Sequence, residues 1–123
     1  MSGCHLLLIE DDDAVRRALQ LLLTGQGFQV HAFASATLAL ADPGALAAGF
    51  LVIDYLLGES SGIEALGLLR SRGWQGRAVL ITAHYSPHLH EEALQAGFDG
   101  VIAKPFRDAT LLAALNGDVA SSG

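Results

Sequence analysis

Four short apolar runs in this chain each end abruptly at a polar residue, and that repetition limits the fold more than any other feature. Leu6-Leu7-Leu8-Ile9 stops at Glu10-Asp11, and Phe50-Leu51-Val52-Ile53 stops at Asp54. Ala78-Val79-Leu80-Ile81 stops at Thr82, and Gly100-Val101-Ile102-Ala103 stops at Lys104-Pro105. Short apolar runs without polar alternation are the pattern of strands buried on both faces, as in a parallel sheet covered by helices. A fifth segment, Phe28 to Phe33, alternates like a strand.

Helical patterns fill the intervals. Asp13 fits a helix N-cap, and Asp12 and Asp13 both read as caps; Val15, Leu19, Leu22 and Leu23 follow at helical spacing, with Gly25 and Gly27 as the stop. Ser35 caps a short alanine-rich helix that ends near Asp42-Pro43-Gly44. Ser61-Gly62-Ile63-Glu64 matches a capping box, Ile63, Leu66 and Leu69 form the stripe behind it, and Gly73 closes the helix. Ser86-Pro87 opens a helix to about Ala96, with Gly97 behind it. Asp108 fits the cap of a last helix carrying Leu111, Leu112 and Leu115. Five β-then-α units in succession predict an α/β, doubly wound, five-stranded parallel sheet in the flavodoxin-like order 2-1-3-4-5, with helices on both faces. The 123 residues suit one domain, residues 1–123, with a core at about 5–118 and a short tail at 119–123.

In a parallel sheet the C-terminal ends of all strands lie along one edge, and ligands bind at that edge near the point where strand order reverses. Glu10, Asp11, Asp54, Thr82 and Lys104 are therefore expected in one pocket. Any one of them alone would be ordinary: acids after strands cap helices, threonine favours strands, and lysine before proline suits a turn. Their joint placement at four strand ends is what carries the reading. Three adjacent carboxylates repel unless a cation neutralises them, and Mg²⁺ suits such oxygen ligands. A carboxylate also serves as a nucleophile toward phosphorus, and a metal, an ammonium and a hydroxyl would neutralise and position the phosphoryl group. Asp54, on the central strand, is the natural acceptor. Six of the seven Lys and Arg residues are Arg, so Lys104, the only lysine, marks a place that needs a compact ammonium.

Composition excludes several other classes. The net charge of −6 argues against nucleic-acid binding by the domain's own surface. No apolar run approaches the roughly 20 residues of a membrane span, and the start of the chain lacks a signal-peptide pattern. The single Cys4 cannot form an internal disulfide, which fits a reducing, cytoplasmic setting, and it reads as a bland small residue rather than a reactive thiol. His84, His88 and His90 lack the companion ligands of a zinc site and read as surface histidines. Trp74, between Gly73 and the Gln75-Gly76 turn, reads as a packing plug or an exposed loop residue.

At these residues the chain resembles the receiver domains of bacterial two-component response regulators, from about Leu6 to Leu115. The motifs are Leu-Leu-Ile-Glu10-Asp11-Asp12, Leu-Val-Ile-Asp54, Leu-Ile-Thr82-Ala83, and Ala96-Gly97-Phe98-Asp99-Gly100 leading to Lys104-Pro105-Phe106. The resemblance implies Asp54 as phosphoacceptor and Mg²⁺ held by Glu10, Asp11, Asp54 and the backbone carbonyl of Leu56. It implies Thr82 and Lys104 as phosphoryl contacts and a cis Lys104–Pro105 peptide. The implied partners are a sensor histidine kinase or a histidine phosphotransfer protein, and a second copy in a phosphorylation-dependent dimer. Such a domain promotes its own phosphorylation and dephosphorylation without turning over a metabolite, so it is not an enzyme in the ordinary sense.

The sequence departs from the family pattern at several places. Val101 stands where the family usually carries the aromatic switch residue, so output is expected through another surface. Gly58 replaces a frequent proline four residues after the acceptor, leaving that loop freer. Leu56, two past the acceptor, is apolar, and with His84 it is expected to tune phosphoryl lifetime. The stretch Asp54-Tyr-Leu-Leu-Gly-Glu is similar to receivers attached to hybrid sensor kinases. The alternative function is a phosphorylation-independent interaction module on the same fold. A phosphatase of the haloacid dehalogenase type is disfavoured, because Leu56 occupies the place of its second aspartate. The sequence leaves open whether the domain stands alone or is part of a larger protein.

Overall fold

The computed structural model describes residues 4–58 and 60–117; the tail expected at 119–123 lies outside the described residues. The elements run β1 (Cys4–Ile9), α1 (Asp13–Gly25), β2 (Phe28–Phe33), α2 (Ala36–Ala41), a 3₁₀ turn (Ala45–Ala47), β3 (Phe50–Asp54), α3 (Gly62–Ser71), β4 (Arg77–Thr82), α4 (Pro87–Ala96), β5 (Gly100–Ala103) and α5 (Asp108–Leu115). All four strand pairings are parallel, in the order β2-β1-β3-β4-β5. This is the doubly wound sheet expected from the alternating patterns.

Strand residues alternate between two apolar layers. Leu7, Ile9, Leu51, Ile53, Ala78 and Leu80 pack with Ala36 and Ala39 of α2, Ala65, Leu66 and Leu69 of α3, and Leu89 and Ala93 of α4. Leu6, Leu8, Val52, Val79, Ile81 and Ile102 pack on the other face with Leu19 and Leu23 of α1 and Leu111 and Leu115 of α5. Each such buried leucine, isoleucine or valine contributes about 1.5–3 kcal/mol. Both faces of the central strands are covered, so the polar residues of this region stand at the strand ends.

Helix starts follow the cap chemistry with two corrections. Ser35 and Ser86 accept from Leu38 N–H and Leu89 N–H, and Ser61 forms the complete capping box with Glu64. The N-cap of α1 is Asp12, not Asp13: its backbone is extended and its carboxylate accepts from Val15 N–H at 3.0 Å. Asp13 is the first helical residue and pairs with Arg16. Asp108 likewise does not cap α5; Arg107 occupies that place without a side-chain cap bond, and Asp108 lies in the first turn, where its charge suits the helix dipole.

Trp74 is a plug, only 1% exposed, with its indole N–H donating to the Ala48 carbonyl at 2.6 Å. The Arg70 guanidinium lies 4.7 Å from the Trp74 ring centre and donates to the carbonyls of Trp74, Gly76 and Gly97. Together they close the sheet end opposite the acidic residues. On β1 and the edge strand β2, His5 and His31 hydrogen-bond to each other at 3.1 Å. Among the described residues, no helix is long and apolar enough to cross a membrane.

Gly62 links the fold to the site. A β-carbon there would lie 2.6 Å from the Asp54 carbonyl oxygen and 2.9 Å from Leu80 Cδ1. Both groups belong to strands and have little room to retreat. Alanine is the better helix former by up to about 1 kcal/mol, but overpacking against fixed neighbours costs about 1–3 kcal/mol. Gly62→Ala is therefore expected to lower the urea midpoint of unfolding at unchanged slope. A midpoint equal to or above that of the unaltered chain would contradict this close packing.

Candidate functional site

Glu10, Lys104 and the residue after Asp54 are each held by a backbone hydrogen bond just past a strand end. Glu10 N–H donates to Phe33 C=O at 3.1 Å, Tyr55 N–H to Ile81 C=O at 2.9 Å, and Lys104 N–H to Thr82 C=O at 2.7 Å. These bonds carry the sheet pairing beyond β1, β3 and β5, so the side chains leave the edge in fixed directions. Asp54 and Thr82 are the last residues of β3 and β4, and the Lys104–Pro105 peptide that follows β5 is cis.

The arrangement brings together Glu10, Asp11, Asp54 and Lys104. One carboxylate oxygen from each of the three acids lies within 4.8 Å of the others. Lys104 Nζ donates to Glu10 Oε1 at 2.8 Å and to Asp54 Oδ2 at 3.2 Å. Glu10 is fully buried and also accepts from Asp12 N–H at 3.1 Å. Asp54 and Thr82 are buried, and Asp11 is exposed.

Burial pushes the Glu10 carboxyl above its ordinary range, and the neighbouring Asp54 charge adds to that; Lys104 and the Asp12 N–H oppose it. Burial alone would lower the Lys104 ammonium, but the Glu10 hydrogen bond and the charges of both carboxylates outweigh it and hold the pKa above its usual value. Lys104 is thus firmly protonated, while the acidic cluster carries more negative charge than one ammonium balances. The donors are all oxygens, as a hard divalent cation requires.

The backbone after Asp54 makes a tight local pairing that leaves the Leu56 carbonyl out. Leu56 and Ser61 form an isolated antiparallel bridge, whose bonds run from Gly62 N–H to Tyr55 C=O at 2.8 Å and from Leu57 N–H to Ser60 C=O at 3.0 Å. Neither bond uses the Leu56 carbonyl. Gly58 has φ +74°, a left-handed conformation that a side chain would disfavour. That requirement explains glycine at this turn better than looseness does.

Of the remaining predicted residues, Thr82 is buried, Val101 is partly buried, and Leu56 and His84 lie at the surface. Thr82 Oγ1 accepts from the backbone N–H of His84 at 2.9 Å. Leu56 is half-exposed beside the acceptor strand. Val101 packs its side chain against the core under α3 and α4. His88 lies in the first turn of α4, and His90 Nδ1 is 2.7 Å from the Tyr85 hydroxyl. One contact escaped the sequence reading: Arg16 Nη1 donates to the Glu10 carbonyl at 2.9 Å. Nothing in the sequence pattern marks Arg16 for that contact.

Comparison with known proteins gives a concordant result. The model of the response regulator receiver domain matches residues 6–116. The response regulator protein TmoT of Ectopseudomonas mendocina is 36% identical over 108 residues, which are 88% of this chain and 49% of that protein. The chain spans about half the length of the curated relatives it matches. Among solved structures, FixJ-N superposes with a TM-score of 0.83 at 31% identity, covering 99% of this chain and 96% of that one. A Burkholderia pseudomallei response regulator, described with a phosphorylated aspartic acid, a calcium ion and citrate, superposes with a TM-score of 0.80 at 25% identity, covering 96% and 71%. The chain belongs to the response regulator receiver domain family, signalling domains that are phosphorylated on an aspartate.

Proposed function

We propose that Asp54 accepts a phosphoryl group from a phosphohistidine, on a sensor histidine kinase or a histidine phosphotransfer protein, and that the domain works as a switch or relay. The observation that carries this reading is the convergence of three carboxylates and the only lysine at one sheet edge. Glu10, Asp11, Asp54 and the Leu56 carbonyl would hold Mg²⁺, which when bound supplies neutralising charge to the acids and to the phosphoryl oxygens.

In the forward step an Asp54 carboxylate oxygen attacks phosphorus as the N–P bond of the donor breaks, and the departing imidazole takes up a proton. Lys104, already beside Asp54, moves its ammonium onto a phosphoryl oxygen. The Thr82 hydroxyl donates to another. Hydrolysis reverses the modification: water attacks phosphorus, the O–P bond breaks, and carboxylate and inorganic phosphate result. The phosphoryl group adds about 1.5–2 negative charges at a buried strand end. That charge draws Thr82 and disturbs its bond from His84 N–H, which shifts the segment leading into α4. Val101 offers no ring to follow Thr82, so the signal leaves through that segment, to a second copy or to another partner.

Incubation with acetyl phosphate and Mg²⁺ is expected to add one phosphoryl mass that is acid-stable and base-labile. Chelation of the metal and Asp54→Asn should each abolish it. If neither acetyl phosphate nor a panel of phosphohistidine donors gives the adduct, the domain is instead a phosphorylation-independent interaction module, the reading that Val101 favours.

Leu56 and His84 set the lifetime of that adduct in this account, because the half-exposed Leu56 side chain obstructs water at the acceptor. Leu56→Asn should shorten the adduct's half-life about tenfold, a change of about 1.4 kcal/mol in the barrier. An unchanged decay rate would remove Leu56 from this role.

A further inference from the structure

We infer that Arg16 is a positioning residue that fixes the turn carrying Glu10 and Asp11, and thereby sets the domain's affinity for its divalent cation. The inference rests on the site reading above.

The turn from Glu10 to Asp13 lies between the sheet and the first helix. Its backbone is served by neither at one atom. The first backbone bond into the α1 start runs from Arg16 N–H to Asp12 C=O at 2.9 Å, so the helix begins its acceptor series two residues after Glu10. Glu10 N–H is spent on Phe33 C=O. The Glu10 carbonyl, on a fully buried residue, therefore depends on a side chain, and Arg16 Nη1 supplies the donor at 2.9 Å.

The same guanidinium spans the whole turn. Its Nη2 donates to Asp13 Oδ1 at 2.6 Å. One planar fork thus ties the inner end of the turn to the outer end, with Asp11 and Asp12 between. The Arg16 side chain is only 22% exposed, whereas the Asp13 side chain is 90% exposed. The inner prong is the protected one. The Glu10 carboxylate has further ties, to Lys104 and to Asp12 N–H. Among the described residues, no hydrogen bond or ion pair holds the Asp11 carboxylate, so its place near Asp54 is set by the backbone of the turn alone. Groups that orient metal ligands from behind typically change affinity by about 10–100-fold when removed.

The test uses Mn²⁺, counted as free ion by electron paramagnetic resonance, with Mg²⁺ as competitor. Arg16→Ala is expected to weaken Mn²⁺ binding about tenfold. Arg16→Lys, which keeps the charge but cannot form the fork, should recover only part of that loss. Asp13→Ala, which removes the outer prong, should stay within about twofold of the unaltered chain. Ser35→Ala, a cap deletion in α2, controls for stability: it should lower the melting temperature and leave Mn²⁺ affinity alone. Unaltered affinity in a folded Arg16→Ala chain would overturn the inference, and full recovery by Arg16→Lys would reduce Arg16 to a point charge and overturn the positioning role. If Arg16→Ala does not fold, a partial loss in Arg16→Lys that exceeds that of Asp13→Ala supports the role, and equality between those two overturns it. Absence of Mn²⁺ and Mg²⁺ binding in the unaltered chain would overturn the site reading and this inference with it.

Discussion

One ammonium shared between two buried carboxylates is the interaction on which this site depends. Lys104 reaches Glu10 and Asp54 from the end of β5, while the two acids come from the ends of β1 and β3. Two carboxylates this far from water, without a cation, would repel and would favour protonation. The lysine favours the charged form of Glu10 against its burial, and this one ammonium faces three acids. That excess of acids over ammonium groups is the charge pattern that suits a divalent ion.

The sheet makes that shared contact affordable by rigidity. The strands lie under helices that bury aliphatic side chains in two separate layers. Hydrogen bonds that run past the last strand residues hold Glu10, Tyr55 and Lys104 in line. The connections at this edge are the turn through Gly58, shaped by that residue's left-handed backbone, and the segment from Thr82 through His84 to Pro87. A strained or crowded change at Gly62 would reach Asp54 directly, since the start of α3 touches the Asp54 carbonyl.

Much of this was legible in the residues because the signals were local. Continuous apolar runs ending at charge, the Ser61–Glu64 box and Ser86-Pro87 each depend on a few neighbouring positions. The topology rule then placed Glu10, Asp54 and Lys104 together without any contact being known. What stayed hidden required three dimensions or a choice among equal neighbours. Asp11, Asp12 and Asp13 are chemically alike, and only backbone dihedrals select Asp12 as the cap. Arg107 caps α5 without cap chemistry, so Asp108 drew the assignment. The pairing of His5 with His31 and the contact of Arg16 with a backbone carbonyl join residues through geometry that no periodicity encodes. Val101 was visible as a missing ring, whereas its packing against the core became visible only in the fold.

The central claim is that the Lys104 ammonium, now on Glu10 and Asp54, is the cation that meets the phosphoryl group. Because Lys104 is the only lysine, ¹⁵N-lysine labelling gives one side-chain ammonium signal. Its resonance is the measurement to make, recorded before and after addition of Mg²⁺ with beryllofluoride, a stable mimic of a phosphoryl group on a carboxylate. The account predicts a new, slowly exchanging Lys104 signal that is absent in Asp54→Asn. An ammonium signal that stays unchanged while the mimic binds would contradict it.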